Sequence, residues 1–241
     1  MSITNFIFLQ LIAHITADYL IQNEKESKDK NEKGFQSLYL KKHIFIVFLT
    51  SWIFSFSIKF IIGSIIIAFT HYLIDGVKPK FPKKYSFFID QILHVTIIII
   101  ISLIYFFYFN NKFDFIINLE KPFIKSIPSI LLCYIFCTKP INIIIREIIN
   151  TFNIETKTND DLPNAGKLIG ITERFLILTF ILMNQFEAVG FLLAAKSILR
   201  YKNEDGDGSN KTEYVLIGTL LSFSITLGII IFVKIIPKFL C

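Results

Sequence analysis

Charged residues are scarce in this 241-residue chain, where Asp, Glu, Lys and Arg together make up 18% of the sequence. Soluble domains carry about 25%, whereas 53% of this chain is hydrophobic and its mean hydropathy is +0.59. The apolar residues stand in long blocks and lack the alternation typical of an amphipathic soluble fold. This composition excludes a soluble globular protein and predicts an all-α, polytopic membrane protein.

Cysteine is also scarce, and its three positions offer no disulfide framework: Cys133, Cys137 and Cys241. Cys133 and Cys137 lie four residues apart in an apolar run, which favours packing residues over metal ligands. A signal-peptide pattern is missing too. The N-terminus MSITN has no basic segment and the first apolar run has no small-residue cleavage site, so we expect no cleavable signal peptide.

The 25 basic residues outnumber the 19 acidic ones, giving a net charge of +6. Most of the basic residues stand in short loops between apolar runs, so the positive-inside rule explains them and no nucleic-acid partner is expected. The two lysine-rich loops, 22–42 and 76–86, are predicted to be cytoplasmic, which places the N-terminus on the outer side of the cell (inner/cytoplasmic) membrane. The stretch NEKESKDKNEKG in the first loop is predicted to be a solvated linker or a short surface helix.

A membrane-spanning helix needs about 20 mostly apolar residues. The apolar runs predict about six or seven spans, drawn from residues 3–21, 43–58, 61–76, 87–109, 123–137, 167–184, 186–199 and 214–236. The run 186–199 is short enough to be re-entrant or a bent continuation. Residues 113–122 are ambiguous, and 141–154 suit an amphipathic interfacial helix. The expected division is a four-helix unit (1–110), a fifth span with the interfacial helix (111–165) and C-terminal membrane helices (166–241).

Histidine is absent after residue 94, and all four histidines lie in or beside predicted spans. Three of them are four residues from an aspartate, in HITAD, HYLID and DQILH, and the fourth, His43, stands alone. A spacing of four puts both side chains on one helix face. Given the predicted topology, each aspartate lies nearer the cytoplasm and each histidine one turn deeper. The sequence therefore predicts that these groups converge: His14, Asp18, His43, His71, Asp75, Asp90 and His94.

Ionisable residues within membrane helices are costly and usually mark functional sites. Histidine and aspartate are ligands of Zn²⁺ and similar divalent ions. We expect His14, His71 and His94 to bind a metal, with His43 as a fourth candidate. The aspartates Asp18, Asp75 and Asp90 are predicted to be further ligands, to orient an imidazole, or to act as the catalytic base. Three neighbouring residues are candidates for substrate or head-group binding: Gln22, Lys78 and Gln91.

The C-terminal half has few polar residues in its apolar runs. Glu173 and Arg174 are predicted to form an interfacial pair. Glu187 and Lys196 bracket the segment AVGFLLAAKS, whose small residues favour helix packing against the N-terminal bundle. The alternative is that Glu187, Lys196 or Arg200 lines a substrate path. The acidic sequence EDGDGSN does not have calcium-loop spacing and is predicted to be a flexible loop.

The segments HITADYLIQ, His43, HYLIDGVK and DQILH together resemble an uncharacterised family of bacterial membrane proteins, classed as a domain of unknown function. Its pattern HxxxDxxxQ … H … HxxxDxxK … DQxxH is similar to about the first 110 residues of this chain. The remainder resembles the C-terminal extension of longer members. The resemblance implies a multi-span membrane protein without an assigned activity. A looser similarity links the intramembrane His and Asp to membrane-bound metal-dependent hydrolases.

The leading hypothesis is a metal-dependent hydrolase with its site near the cytoplasmic leaflet, acting on a lipid or lipid-linked substrate at head-group depth. Membrane lipids are the expected partners, and a divalent metal, Zn²⁺ first among them, is the expected cofactor. One alternative is a transporter coupled to protons or cations, which would use the same residues as an ion site. Another is a non-catalytic membrane scaffold or regulator.

Overall fold

The computed structural model of the chain describes residues 1–109, 126–152, 165–201 and 209–240. Within these ranges it has ten α-helices and no strand, which confirms the predicted all-α class. The chain divides into two compact units, residues 1–135 with the end of the last helix, and residues 136–235. The ambiguous segment 113–122, residues 204–208 of the acidic loop, and the predicted boundary after residue 110 lie outside the described residues.

Five α-helices build the first 109 residues. Helix α1 spans Ile3–Ile15 and continues as a π-helical turn over Thr16–Ile21; the others are α2, Glu24–Lys33; α3, Leu38–Ser55; α4, Ile61–Val77; and α5, Ser86–Phe109. Short 3₁₀ turns cover Gly34–Gln36, Ile58–Phe60 and Lys78–Lys80. Phe56 turns the chain between α3 and α4 in the left-handed conformation, at φ 49°.

Helix α1 lies inside a bundle of α1, α3, α4 and α5. It contacts α3 and α5, while α4 contacts both α3 and α5, and every residue of Ile3–Ile15 is buried. The other three helices expose large apolar side chains outward, such as Phe45, Ile62 and Phe107, each more than 60% exposed. A helix that is apolar outside and packed inside is typical of a membrane environment, where lipid covers the outer face.

One interior face of α1 carries residues at intervals of four: Phe6, Gln10, His14 and Asp18. Near its start, the rings of Phe6, Phe60 and Tyr105 pack with centroids 4.8–5.6 Å apart. In the next layer, Ser51 donates to the Gln10 Oε1 atom at 2.8 Å. The third and fourth positions lie among the other histidines and aspartates, so the bundle becomes more polar toward the π-helical end of α1.

The later helices are α6, Ile127–Phe136; α7, Lys139–Thr151; α8, Ala165–Leu182; α9, Phe186–Tyr201; and α10, Ser209–Leu240. Pro140 lies in the first turn of α7, where its missing N–H needs no partner. As predicted, Cys133 and Cys137 are buried. Helix α7 covers most of the segment predicted to be an amphipathic interfacial helix.

Among the described residues, five helices are long and apolar enough to cross a membrane, which is compatible with the predicted membrane protein: Ile3–Ile21, Leu38–Ser55, Ile58–Lys80, Ser86–Tyr108 and Leu216–Ile235. A sixth span results if α6 and α7, bent by 46° at their junction, count as one. By length alone α6, with ten residues, covers about 15 Å and cannot span. The predicted spans at 167–184 and 186–199 are helical, but neither is among these five.

Candidate metal centre

The three predicted His–Asp pairs share a helix face, and α1, α3, α4 and α5 bring them together. The shortest N–O distances within the pairs are 3.6 Å for His14–Asp18, 3.5 Å for His71–Asp75 and 3.3 Å for Asp90–His94. His43 joins them from the second turn of α3. All four histidines are at most 5% exposed, as are Asp75 and Asp90, and the Asp18 side chain is 8% exposed. The seven side chains form one buried cluster, named the His/Asp centre below.

Four atoms of this centre lie close together: the nitrogens His43 Nε2 and His71 Nε2, and the oxygens Asp18 Oδ1 and Asp75 Oδ2, each of which lies near both nitrogens. The two histidine nitrogens are 3.1 Å apart. Asp18 Oδ1 is 3.4 Å from His43 Nε2 and 3.5 Å from His71 Nε2, and the corresponding distances of Asp75 Oδ2 are 3.7 and 3.5 Å. Ligands 2.0–2.2 Å from a tetrahedral Zn²⁺ are separated by about 3.4 Å. The donor set and its spacing therefore fit such an ion.

Several of these atoms are buried without a hydrogen bond, among them Asp18 Oδ1, Asp75 Oδ1, Asp90 Oδ1 and His94 Nε2. Buried polar atoms in proteins almost always have a partner, because leaving one unpaired costs about 1–3 kcal/mol. Such a concentration of unpaired acceptors and imidazole nitrogens within one cluster is typical of metal ligands. It is a second observation, independent of the spacing, that fits a cation.

Gln91 fixes the proton position on His14. Its Nε2 donates to Asp90 Oδ2 at 3.0 Å, so its Oε1 faces the other way and accepts from the Tyr19 hydroxyl at 2.8 Å. His14 Nε2 lies 3.3 Å from the same oxygen and must donate to it. The lone pair of His14 Nδ1 then faces Asp18 Oδ1 at 3.6 Å. Two acceptors facing each other in a buried site are stabilised by a cation between them.

Lys30 belongs to the centre although no sequence pattern singled it out. It lies on α2, inside the stretch predicted to be a solvated linker or a short surface helix; the stretch is helical, but Lys30 is buried and not solvated. Its side chain is 4% exposed and its Nζ is 2.7 Å from Asp75 Oδ2. Burial disfavours its charge, but the nearby Asp75 and Asp18 carboxylates outweigh burial and raise the pKa of Lys30 above its ordinary value. Lys30 is therefore an ammonium ion inside the protein.

Helix α2 is held against α3 and α4 by close backbone contact. Asn23 and Glu26 form a reciprocal capping box at its start, and Lys42 of α3 donates to Glu26 at 2.6 Å. Gly34 follows the helix at φ +52°, and a Cβ there would lie 2.4 Å from the carbonyl oxygen of Gly76. The Phe35 ring occupies the space in which a side chain at Gly76 would stand. Both glycines allow α2 to pack closely enough for Lys30 to contact Asp75.

The predicted binding residues differ in where they lie. Lys78 donates to Asp90 Oδ2 at 2.8 Å and is buried, so it is part of the centre and more than a topology signal. Gln91 contacts the centre through His14 and Asp90. Gln22 is partly exposed at the end of the π-helical turn, and among the described residues its Nε2 is buried without a hydrogen bond. The structure thus brings two of the three into contact with the His/Asp centre.

The charges of the centre do not cancel. Three carboxylates, Asp18, Asp75 and Asp90, face two ammonium groups, Lys30 and Lys78, leaving −1 when the histidines are neutral, as metal ligation requires. One divalent ion changes this to +1, and a hydroxide bound to the ion restores neutrality. Nitrogen and oxygen donors without thiolate suit Zn²⁺ and comparable first-row ions. A metal-bound hydroxide is the nucleophile that such ions supply near neutral pH.

The second unit contains a different buried charge, which the sequence analysis assigned to an interfacial pair. Arg174 is 1% exposed and donates to Cys137 O at 2.8 Å, Asn142 Oδ1 at 2.8 Å and Ser222 Oγ at 3.1 Å. Glu173 instead pairs with Lys196. The predicted Glu173–Arg174 pair is wrong, because the Arg174 guanidinium is directed at three neutral acceptors instead. Arg174 links α7, α8 and α10.

The comparisons with known proteins concern the half of the chain that carries the His/Asp centre. No curated protein and no solved structure matches the chain. One family model matches, over residues that include most of α1, all of α2 to α5 and all seven His and Asp residues of the centre. The resemblance to an uncharacterised family is therefore confirmed: residues 6–121 match the model of the family described as "Protein of unknown function (DUF3307)".

Proposed function

We propose that the protein is a metal-dependent membrane hydrolase whose His/Asp centre binds a divalent ion and acts on a lipid or lipid-linked substrate. The observation that carries this proposal is the arrangement of Asp18 Oδ1, His43 Nε2, His71 Nε2 and Asp75 Oδ2, whose measured separations of 3.1–3.7 Å match those of ligands on one ion. The metal would supply a Lewis acid and lower the pKa of a bound water to about 7.

The other roles in the proposed reaction belong to side chains of the His/Asp centre. The four named donors hold the ion, and His14 orients Asp18 or joins as a fifth ligand through Nδ1. Asp90 is anchored by Lys78 and Gln91 at Oδ2, so that its Oδ1 is directed into the centre, where it either takes the proton of the attacking water or binds an ion. A cavity with room for about one water molecule adjoins His14, between Gln10, Val47, Ser51, Ile67 and Ile98.

The substrate class follows from the surroundings of the centre. The helices that carry it are long enough to cross a membrane, and their outer faces are apolar, so a substrate reaching the centre from the bilayer is a lipid or carries a lipid tail. The basic α2 segment and Lys78–Lys80 turn stand at the same end of the bundle as the aspartates. An inner membrane with this end at the cytoplasmic leaflet fits the positive-inside rule.

The first experiment is metal analysis of the purified protein by mass spectrometry. We expect at least one divalent ion per chain, lost in His43→Gln and His71→Gln. Asp29→Asn is the matched control, because Asp29 pairs with Lys33 and Ser37 on the outside of α2 and not with the centre. A wild-type protein that stays metal-free after incubation with Zn²⁺, Mn²⁺ or Co²⁺ would falsify the proposal.

The hydrolase step is tested separately in vesicles of phosphatidylethanolamine and phosphatidylglycerol. The metal-loaded protein should release lipid products detectable by mass spectrometry, a chelator should stop the release, and added Zn²⁺ should restore it. A protein that binds metal with the expected residues and hydrolyses neither these lipids nor lipid-linked phosphate esters would contradict hydrolysis while leaving the metal centre intact.

A cation- or proton-coupled transporter is the second candidate, and one observation favours it. The centre already contains two tethered cations, Lys30 and Lys78, on carboxylates that a metal or proton would also use. Binding of an ion and movement of a lysine would then be coupled, as transport requires. Uptake of radioactive Zn²⁺ into proteoliposomes, abolished by Asp75→Asn, would favour this candidate over hydrolysis.

A further inference from the structure

We infer that the His/Asp centre holds a second divalent ion, joined to the first through the carboxylate of Asp75. The inference rests on the proposed function, because the first ion is the one held by Asp18, His43, His71 and Asp75. The ligands of the second ion are Asp75 Oδ1, Asp90 Oδ1 and His94 Nε2. The resulting centre is a carboxylate-bridged pair of metal ions inside a helical bundle.

The three ligand atoms share one feature: each is buried and makes no hydrogen bond. His94 Nε2 lies 3.4 Å from Asp75 Oδ1 and 3.3 Å from Asp90 Oδ1, separations again close to those between ligands of one ion. The three side chains are at most 2% exposed. Water from outside therefore does not satisfy these atoms, and a cation placed among them satisfies all three.

Asp75 is placed to bridge because its two oxygens face different histidines. Oδ2 lies 3.5 Å from His71 Nε2, and Oδ1 lies 3.4 Å from His94 Nε2. The rings of His71 and His94 are stacked, with centroids 3.7 Å apart and planes 12° from parallel. Ions bound in the planes of two such rings are separated by about the ring spacing. Two-metal hydrolytic sites have their ions about 3.5–4 Å apart.

The two positions differ in how completely the protein surrounds them. The first position has four proposed protein ligands, because Asp18 Oδ1 lies near both of its histidines, whereas the second has three, which leaves a coordination place for a water or a substrate oxygen. Lys78 and Gln91 both donate to Asp90 Oδ2, so that the other oxygen, Oδ1, is directed at the second position. Structural ions are typically closed by four ligands, and catalytic ions keep one place open. The second ion is the one that would meet the substrate.

Electrostatics sets the order of binding. With one divalent ion the centre carries +1, and a second ion raises this to +3 unless an anion binds with it. The second ion therefore binds more weakly than the first, and a bridging anion such as inorganic phosphate strengthens its binding. The rival arrangement has no second ion: a protonated His94 forms an ion pair with Asp75 and Asp90 and supplies one positive charge by itself.

The test is a Mn²⁺ titration of chelator-treated protein in detergent, followed by electron paramagnetic resonance with and without inorganic phosphate. We expect two ions per chain, the second bound severalfold more tightly with phosphate, and a spectrum of two magnetically coupled Mn²⁺ ions. Asp90→Asn and His94→Gln should each bind one ion with an uncoupled spectrum. Asp29→Asn, outside the centre, should behave as wild type.

The outcomes separate the second ion from the first. One ion in the wild type, retained by Asp90→Asn and His94→Gln, overturns the bridged pair and leaves the single-ion proposal standing. No ion in the wild type overturns both. Two ions with an uncoupled spectrum place the second ion elsewhere and overturn the bridge. The single ion retained by the two variants also shows that they are folded, so that loss of coupling reports the second position alone.

Discussion

Each of the two units buries charged side chains, but the two units differ in how completely these side chains are hydrogen-bonded. In residues 136–235, Arg174 donates to three neutral acceptors, and among the described residues of that unit no buried side-chain polar atom lacks a hydrogen bond. In residues 1–109 the His/Asp centre has an excess of carboxylates and most of the unpaired buried atoms. A satisfied network holds helices together, whereas an unsatisfied one needs a ligand. The difference supports the proposal that the functional site lies in the first unit.

The largest effect is expected from Asp75→Asn. Asp75 supplies a ligand atom to each proposed ion and accepts from Lys30, so the amide removes the bridge and the charge that attracts both ions. Metal content measured by mass spectrometry should fall below about one tenth of the wild-type value, corresponding to at least about 1.4 kcal/mol per ion. Added Zn²⁺ should no longer raise the unfolding temperature. Wild-type metal content in this variant would contradict the role of Asp75 in either position.

Arg174→Met should give the next largest effect and the opposite pattern. The substitution leaves Cys137 O, Asn142 Oδ1 and Ser222 Oγ without their donor, and we expect a loss of about 3 kcal/mol in the free energy of unfolding. Chemical denaturation in detergent measures this loss, and metal content should not change. The control is Arg146→Met, because Arg146 is largely exposed and its ion pair with Glu147 contributes less than about 1 kcal/mol.

Local sequence patterns predicted the parts of the molecule that depend on local geometry. Long apolar runs placed α1, α3, α4, α5 and α10, because a membrane span is set by the length of hydrophobic chain. The spacing of four residues in each His–Asp pair predicted that both side chains of the pair lie on the same helix face. Since each of these faces is too polar for lipid, the three had to meet inside the bundle. The residues of the centre on the spans were predictable for this reason.

The rest of the centre depends on contacts between distant residues. Helix α2 is polar all round, so its sequence does not show which of its lysines is buried; the docking of Gly34 against Gly76 decides that it is Lys30. The π-helical turn at Thr16–Ile21 has no signature in the apolar pattern. Lys78 was predicted to bind a substrate or head group, and only the fold shows that it donates to Asp90. Arg174 was assigned to the wrong partner because its acceptors lie on α7, on α10 and in the turn before α7.

Gly76→Ala tests whether α2 is a fixed part of the first unit. A Cβ at this position would lie 2.1 Å from a ring carbon of Phe35, and overpacking of this kind costs about 1–3 kcal/mol. We expect the segment 23–37 to detach more often, so that trypsin cleaves after its lysines several times faster than in the wild type. Gly190→Ala is the control, because nothing lies within 4 Å of a Cβ there. Equal cleavage rates in the two variants would show that α2 does not depend on this contact.

Lys30→Met has the smallest expected effect and bears most directly on the contrast between the units. Lys30 places a positive charge 2.7 Å from a proposed ligand atom of the first ion, and its raised pKa keeps that charge at neutral pH. Methionine keeps the length of the side chain and removes the charge. The affinity for Zn²⁺, measured by competition with a chelating dye, should therefore rise about tenfold, or about 1.4 kcal/mol. Lys28→Met, at an exposed position of the same helix, should leave it unchanged. A lower affinity for Zn²⁺ in Lys30→Met would contradict this expectation. It would mean that Lys30 holds Asp75 in position for the metal and does not compete with the metal. The first unit would then be preorganised by hydrogen bonds, like the network around Arg174.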